Sequence, residues 1–300
     1  MLRSLTLVNL LAFSVAASVS ARTPMTAIGW PAATQWTPIF SGIDEAAVVL
    51  SEPRPLRVHA LRVDLTAPGV SLVTDDDNGP LPEEVNGLKT STFLLNKRCQ
   101  AAINGAPFWP GHKDEGLPQN VVGLVVSDGE LVSPVDSGEK ARAAFVMRAN
   151  GRADIERPPI DLAGMQTAVG GYGVVLEDGS VTRPAKESDD IVDGRHPRSA
   201  IGVANDGKTL LLVAVDGRQP GYSEGVDLAE LGEILHRLGA AHGLNLDGGG
   251  TTTLVAADGE SGFRLVNQPI DGNTPGNERI SASHLGVYAS PLPESGDEEK

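Results

Sequence analysis

The sequence predicts the α+β class, a single sheet-rich domain with packed helices, and two patterns carry that prediction. The first is a series of short apolar runs between turn signals: 46–50, 56–65, 121–127 before Asp128-Gly129, 143–148 before Asn150-Gly151, and 174–177 before Asp178-Gly179. Leu56, Val58 and Ala60 alternate with Arg57 and His59, the period of a strand with one buried face, and Asp-Gly or Asn-Gly between such runs marks a hairpin. The second pattern is a helix. Asp227 can cap it and Glu230 completes the box three residues on, while Leu228, Leu231, Leu235 and Leu238 form one apolar face that Gly239 ends. The helix links a strand at 209–215 to another at 241–246. A weaker helix is expected over 84–98, with Leu88, Thr92 and Leu95 on one side.

Residues 1–21 read as a secretory signal, with Arg3 as the positive start, an apolar stretch from Leu5 to Val19, and Val19-Ser20-Ala21 as a small-residue cleavage site. The expected location is therefore the periplasm or the medium, with no stable membrane anchor after cleavage. Cys99 is the only cysteine, so no intrachain disulfide can form and stability must come from a core. A hydrophobic fraction of 40% is enough to build one. Acidic residues number 39 against 24 basic ones, for a formal charge of −15, which disfavours nucleic acid because binding a phosphate backbone needs a basic surface.

The expected domain plan has an N-terminal arm at 22–54 that packs through Trp30 and Trp36, a main domain at 55–290, and a disordered acidic tail at 291–300. No motif requires a cofactor. The run Asp75-Asp76-Asp77-Asn78-Gly79 looks calcium-like, so a divalent cation stays open. It lacks the EF-hand order, however, with Val85 where that loop has its closing Glu, and reads as a solvated turn.

Chemistry is expected first in Asn245-Leu246-Asp247-Gly248-Gly249-Gly250-Thr251-Thr252. There an apolar strand delivers one carboxylate into glycines, whose backbone can approach a ligand closely. Further candidates are Asn104 in Asn104-Gly105-Ala106-Pro107-Phe108, the pair Gly170-Gly171 before Tyr172 as an aromatic platform for sugars, and Arg198 in His196-Pro197-Arg198-Ser199-Ala200-Ile201-Gly202. Asp216-Gly217-Arg218 and Glu278-Arg279 complete the set. Arginines at strand ends beside glycines make two-point partners for carboxylate or phosphate, so Arg198, Arg218 and Arg279 suggest an anion pocket in an acidic chain. Zinc-protease, nucleophile-elbow and P-loop spacings are missing.

The order of these segments resembles the phosphodiester glycosidase family, whose type is N-acetylglucosamine-1-phosphodiester α-N-acetylglucosaminidase, the uncovering enzyme. Asn104-Gly105 with Phe108, Gly170-Gly171, the stretch 197–202, Asp216-Gly217-Arg218, the stretch 245–252 and Arg279 carry the resemblance across about residues 55–290. Ala106-Pro107 departs from the family's second glycine and first aromatic, and proline removes a donor there. The resemblance implies a mixed, largely antiparallel sheet with helices packed on it. It implies hydrolysis of a sugar joined through its anomeric oxygen to a phosphodiester. Asp247, with Asp216 as partner, is then the catalytic carboxylate; Arg198, Arg218 and Arg279 with the N–H groups of Gly248, Gly249, Gly250 and Thr251 hold the phosphate, and Asn104, Gly171 and Asn245 complete substrate binding. An exo-type glycosidase acting on an exopolysaccharide or cell-wall glycan, and an envelope protein that binds glycans without cleaving them, are the alternatives.

Overall fold

The computed structural model describes residues 29–135, 142–184, 188–259 and 261–293. The expected signal at 1–21 lies outside these residues, as does 294–300 of the expected tail.

Every ladder between its strands is antiparallel. An eight-stranded sheet runs in the order Thr37–Phe40, Ile43–Leu50, Leu56–Asp64, Thr209–Val215, Arg198–Val203, His242–Asn245, Gly173–Glu177, Ser180–Val181. One five-stranded sheet is centred on Met165–Gly170, and another has Ala101–Asn104 between Leu254–Asp258 and His284–Tyr288. A small sheet joins Val85–Asn86, Pro118–Val121 and Phe108–Trp109.

Strand alternation explains the layers. Leu61, Val63, Leu210, Leu212, Ile201 and Leu244 leave one face of the large sheet and meet Phe145 and Val169 of the second sheet and Ile103, Leu254 and Leu285 of the third in one core. The intervening residues Val58, Ala60, Leu211, Val213 and Ala200 face the other way, onto Leu228, Leu231, Ile234 and Leu235 of the long helix. The large sheet is thus buried on both sides, and three sheets bring their strand ends to one place.

Among the described residues the α-helices are α1 (Thr90–Lys97), α2 (Asp189–Asp193) and α3 (Leu228–Arg237). The last has the expected capping box: Asp227 accepts from the Glu230 N–H at 2.9 Å and Glu230 accepts from the Asp227 N–H at 3.1 Å. The helical share is smaller than the expected class implies, and the fold is predominantly antiparallel sheet. The expected helix over 84–98 begins only at Thr90, because Val85 and Asn86 pair as a strand with Gln119 and Pro118. Its buried side is Phe93 and Leu94, against Cys99 and Val255, and Leu95 is exposed. The hairpin signals hold: Asp128-Gly129 and Asp178-Gly179 both have positive φ at each residue, as a tight turn between twisted strands requires. In the expected arm, Trp30 and Trp36 pack on the α3-side core, and residues 37–50 are two strands at the edge of the large sheet.

Candidate active site

Asp247 leaves the end of His242–Asn245 in the large sheet, and its backbone is held by the end of Ala101–Asn104 in another. Its N–H donates to Gly105 O at 2.9 Å, and its carbonyl accepts from Asn104 Nδ2 at 2.7 Å. Asn104 is fully buried and spends its other end on Ser199 Oγ, which donates at 2.6 Å, and on the Thr253 N–H at 3.1 Å. It is therefore a frame for Asp247, not the substrate contact expected from the sequence. The chain then runs beside Pro197 and Ser199: Leu246 N–H donates to Ser199 O and Gly249 N–H to Pro197 O, at 2.9 and 3.0 Å.

The Asp247 carboxyl sits at the junction of two cavities that share Tyr172, Asp247 and Arg279. The larger, about 500 Å³, is also lined by Phe108, His112, Lys113, Asp271 and Glu278. The smaller, about 220 Å³, is basic, with Arg198, Arg218, His196 and Asn245 beside Gly248 and Gly249. Burial pushes the Asp247 carboxyl up to about 6, against hydrogen bonds from Thr251, the Gly248 backbone and Tyr172 and the charge of Arg279. Thr251 Oγ1 lies 2.9 Å from Asp247 Oδ2 and 2.7 Å from Gly248 O. Its single proton satisfies one of them. With that proton on Gly248 O, a neutral Asp247 can donate to Oγ1, so the turn accommodates the acid form.

The basic compartment differs in detail from the expected cradle. Arg198 is buried and gives Nε to Val226 O at 3.2 Å and Nη2 to the carbonyls of Ile191 and Gly194 at 2.6 and 2.9 Å, which leaves Nη1 without a partner among the described residues. Burial lowers it to about 10. Arg218 is exposed, adopts a left-handed backbone at φ 56°, and donates Nη2 to His196 Nδ1 at 3.1 Å, fixing that nitrogen as an acceptor. Burial, followed by Arg198 and Arg218, holds the His196 imidazole below its ordinary value. The guanidinium of Arg218 lies over Gly249, whose φ is +68° and where a Cβ would come 3.0 Å from Nη1. The Gly249 N–H is committed to Pro197, so the glycine turn gives closeness of approach more than free donors. Asn245 is buried, lines this compartment, and its Oδ1 has no partner among the described residues.

The remaining candidates do not line either cavity. Asp216 is buried with its oxygens taken by His59 Nε2 at 3.1 Å, Asn267 Nδ2 at 3.0 Å and the Gln268 N–H at 2.9 Å. It organises the loops around 267 and lies outside the cavity where a partner carboxylate was expected. Gly171 is glycine for space, since a Cβ would come 2.7 Å from Asn245 O. Gly250 lies under Asp271 and Arg279, and Thr251 reaches the site through Asp247. His112, Lys113, Asp190 and Asp271 line the cavities without having been singled out in the sequence. Among the described residues no three His, Cys, Asp or Glu side chains are grouped to hold a metal ion. The calcium-like run is divided: Asp75 is bonded to buried His284, Asp76 to Lys97, and Asp77 to the Gly79 N–H.

The family model for phosphodiester glycosidases matches residues 97–288, a span that holds all of these site residues. The chain belongs to the phosphodiester glycosidase family. Among solved structures, it is similar to the catalytic domain of zebrafish N-acetylglucosamine-1-phosphodiester α-N-acetylglucosaminidase, in a form auto-inhibited by its pro-peptide. The identity is 20%, over 89% of this chain and 94% of that one, with a TM-score of 0.63. A hypothetical protein from Synechocystis is 17% identical over 86% of this chain and 64% of its own, with a TM-score of 0.57. A putative exported protein from Burkholderia pseudomallei is 19% identical over 80% of this chain and 75% of its own, at 0.52. At these identities the structures share the fold. No curated protein sequence matches the chain.

Proposed function

We propose that the chain is a secreted or periplasmic hydrolase that cleaves a sugar from a phosphodiester at the anomeric oxygen, of the α-N-acetylglucosaminidase type. The observation that carries this reading is the position of Asp247, a carboxyl raised towards neutrality between a basic compartment and a larger one walled by Phe108 and Tyr172. The phosphate lies with Arg198, Arg218 and Arg279, while the sugar occupies the larger space and stacks on an aromatic face. Asn245 serves a ligand hydroxyl, since a buried unpaired amide oxygen is costly until a donor reaches it. Asp247 stands at the bond between them and gives a proton to the leaving oxygen.

The test is turnover of a panel of sugar-1-phosphodiesters and plain α-glycosides by the wild type and Asp247→Asn. Phosphodiesters should be the better substrates, and Asp247→Asn should keep its fold and lose ~10²–10⁴-fold in kcat. Hydrolysis in ¹⁸O-water should label the sugar, since attack is at the anomeric carbon. Label confined to the phosphate would overturn the glycosidase reading.

A further inference from the structure

Glycosidases generally use two carboxylates, of which Asp247 supplies one. Four others come into question. Asp216 is enclosed outside the cavity with its oxygens occupied. Glu278 lines the larger compartment, but Oε2 accepts the Ser91 N–H and Oε1 accepts Ser91 Oγ, at 3.1 and 2.5 Å, tying it to the start of α1. Asp190 lines only the basic compartment, among the arginines. Asp271 is different. It shares the larger compartment with Asp247, and Arg279 holds its Oδ1 through Nε at 2.7 Å and Nη2 at 2.6 Å, while Oδ2 accepts no hydrogen bond from the described residues.

The backbone brings the two carboxylates to one turn. Asp271 Oδ1 presses against Gly250, where a Cβ would come within 2.5 Å of it and 2.7 Å of the Arg279 Cζ. The next residue, Thr251, carries the hydroxyl bonded to Asp247. Absence of a side chain at 250 is therefore what admits the Asp271–Arg279 pair beside Asp247.

Taking the glycosyl phosphodiester reading as its basis, we propose that Asp271 is the second catalytic carboxylate, the base that activates water against the anomeric carbon. Asp271 Oδ2 takes a proton from water as the water oxygen bonds to that carbon. The bond from carbon to the phosphodiester oxygen breaks, its electron pair leaves with the phosphate, and protonated Asp247 gives its proton to that oxygen. The products are the free sugar and a phosphate monoester, with the anomeric configuration inverted. A proton then returns from Asp271 to Asp247 through solvent. The surroundings fit these roles, because burial favours the neutral form of Asp247, while Asp271, gripped by Arg279 at Oδ1, keeps Oδ2 without a partner among the described residues.

The experiment measures kcat, KM and product configuration by NMR for the wild type, Asp271→Asn, Asp271→Ala and Arg279→Lys on a sugar-1-phosphodiester, with and without sodium azide. Asp271→Asn should lose ~10²–10⁴-fold in kcat with KM changed only a few-fold. In Asp271→Ala, which opens room beside the anomeric carbon, azide should restore turnover and yield the glycosyl azide of inverted configuration. A side chain that merely positions Arg279 would behave as Arg279→Lys does, with raised KM and no azide product, and that result overturns the proposal. Retention of configuration by the wild type overturns it too, as does an Asp271→Asn within threefold of wild-type kcat. Absence of wild-type turnover on any phosphodiester would instead remove the reading on which the proposal rests.

Discussion

At the scale of the residue, Asp247 is charged only at an expense to folding. Its folded value near 6 stands above the 3.8 of an exposed aspartate, so between these pH values the native chain holds a proton that the unfolded chain has released. Stability from the neutral form is complete below pH 4 and is lost as pH rises through about 6. Asp247→Asn, which stays neutral, escapes that loss. Thermal melts of the two proteins should keep a constant offset below pH 4 and then diverge in favour of the variant, by about 2–3 kcal/mol above pH 6. Parallel curves across this range would show that Asp247 is not desolvated. The same protonation makes kcat/KM fall above about pH 6 if the acid form is the active one. Arg218 gives a second prediction. Its guanidinium covers a glycine and, among the described residues, is tethered by His196 alone. Lysine lacks the planar fork, so Arg218→Lys should raise KM for the phosphodiester about tenfold and leave a plain glycoside nearly unaffected. Equal effects on both substrates would remove phosphate from this compartment.

At the scale of the element, the clearest sequence signals were those whose cause is local. The α3 cap, its leucine face and the two Asp-Gly hairpins depend on a few adjacent residues, and all appear in the structure. Loss of the Asp227 cap should accordingly cost about 1 kcal/mol, lowering Tm by roughly 2–4 °C in Asp227→Ala; a melt that does not move would mean the box contributes nothing. Elements decided by distant contacts were less legible. Residues 84–98 have helical spacing, yet pairing with Pro118–Val121 takes Val85 and Asn86 into a sheet. Asp247 and Arg218 could be read as site candidates because each adjoins a glycine, Arg198 because it opens a strand, and Asn245 and Arg279 from the order of the family motifs. Asp216 looked the same in sequence, but nothing local reveals that His59, Asn267 and Gln268 converge on it. Asp271 had the opposite fate: its Asp-Gly sequence reads as an ordinary turn, and only the fold carries it under Arg279.

At the scale of the whole molecule, the site exists where sheets meet, and one buried side chain makes the junction. Asn104 belongs to the sheet of Leu254–Asp258, Ser199 to the large sheet, and Asp247 to the turn that leaves the large sheet. Its amide is satisfied at both ends, donating to Asp247 O and accepting from Ser199 Oγ and the Thr253 N–H. Removing it leaves those three polar groups without this partner, and each buried polar group left unsatisfied costs about 1–3 kcal/mol. Asn104→Ala should therefore lose roughly 3–5 kcal/mol of stability, read from denaturant midpoints at unchanged m-value, allowing for partial relaxation. It should also lower kcat although Asn104 lines neither cavity of the site, since the Asp247 carbonyl is no longer anchored. The two losses should come together, with KM for the phosphodiester moving less than kcat, because the arginines of the basic compartment are held by other contacts. A variant destabilised by less than 1 kcal/mol would mean that the sheets are joined elsewhere, and one destabilised as expected but with full kcat would mean that Asp247 is positioned by Gly105 and Thr251 alone.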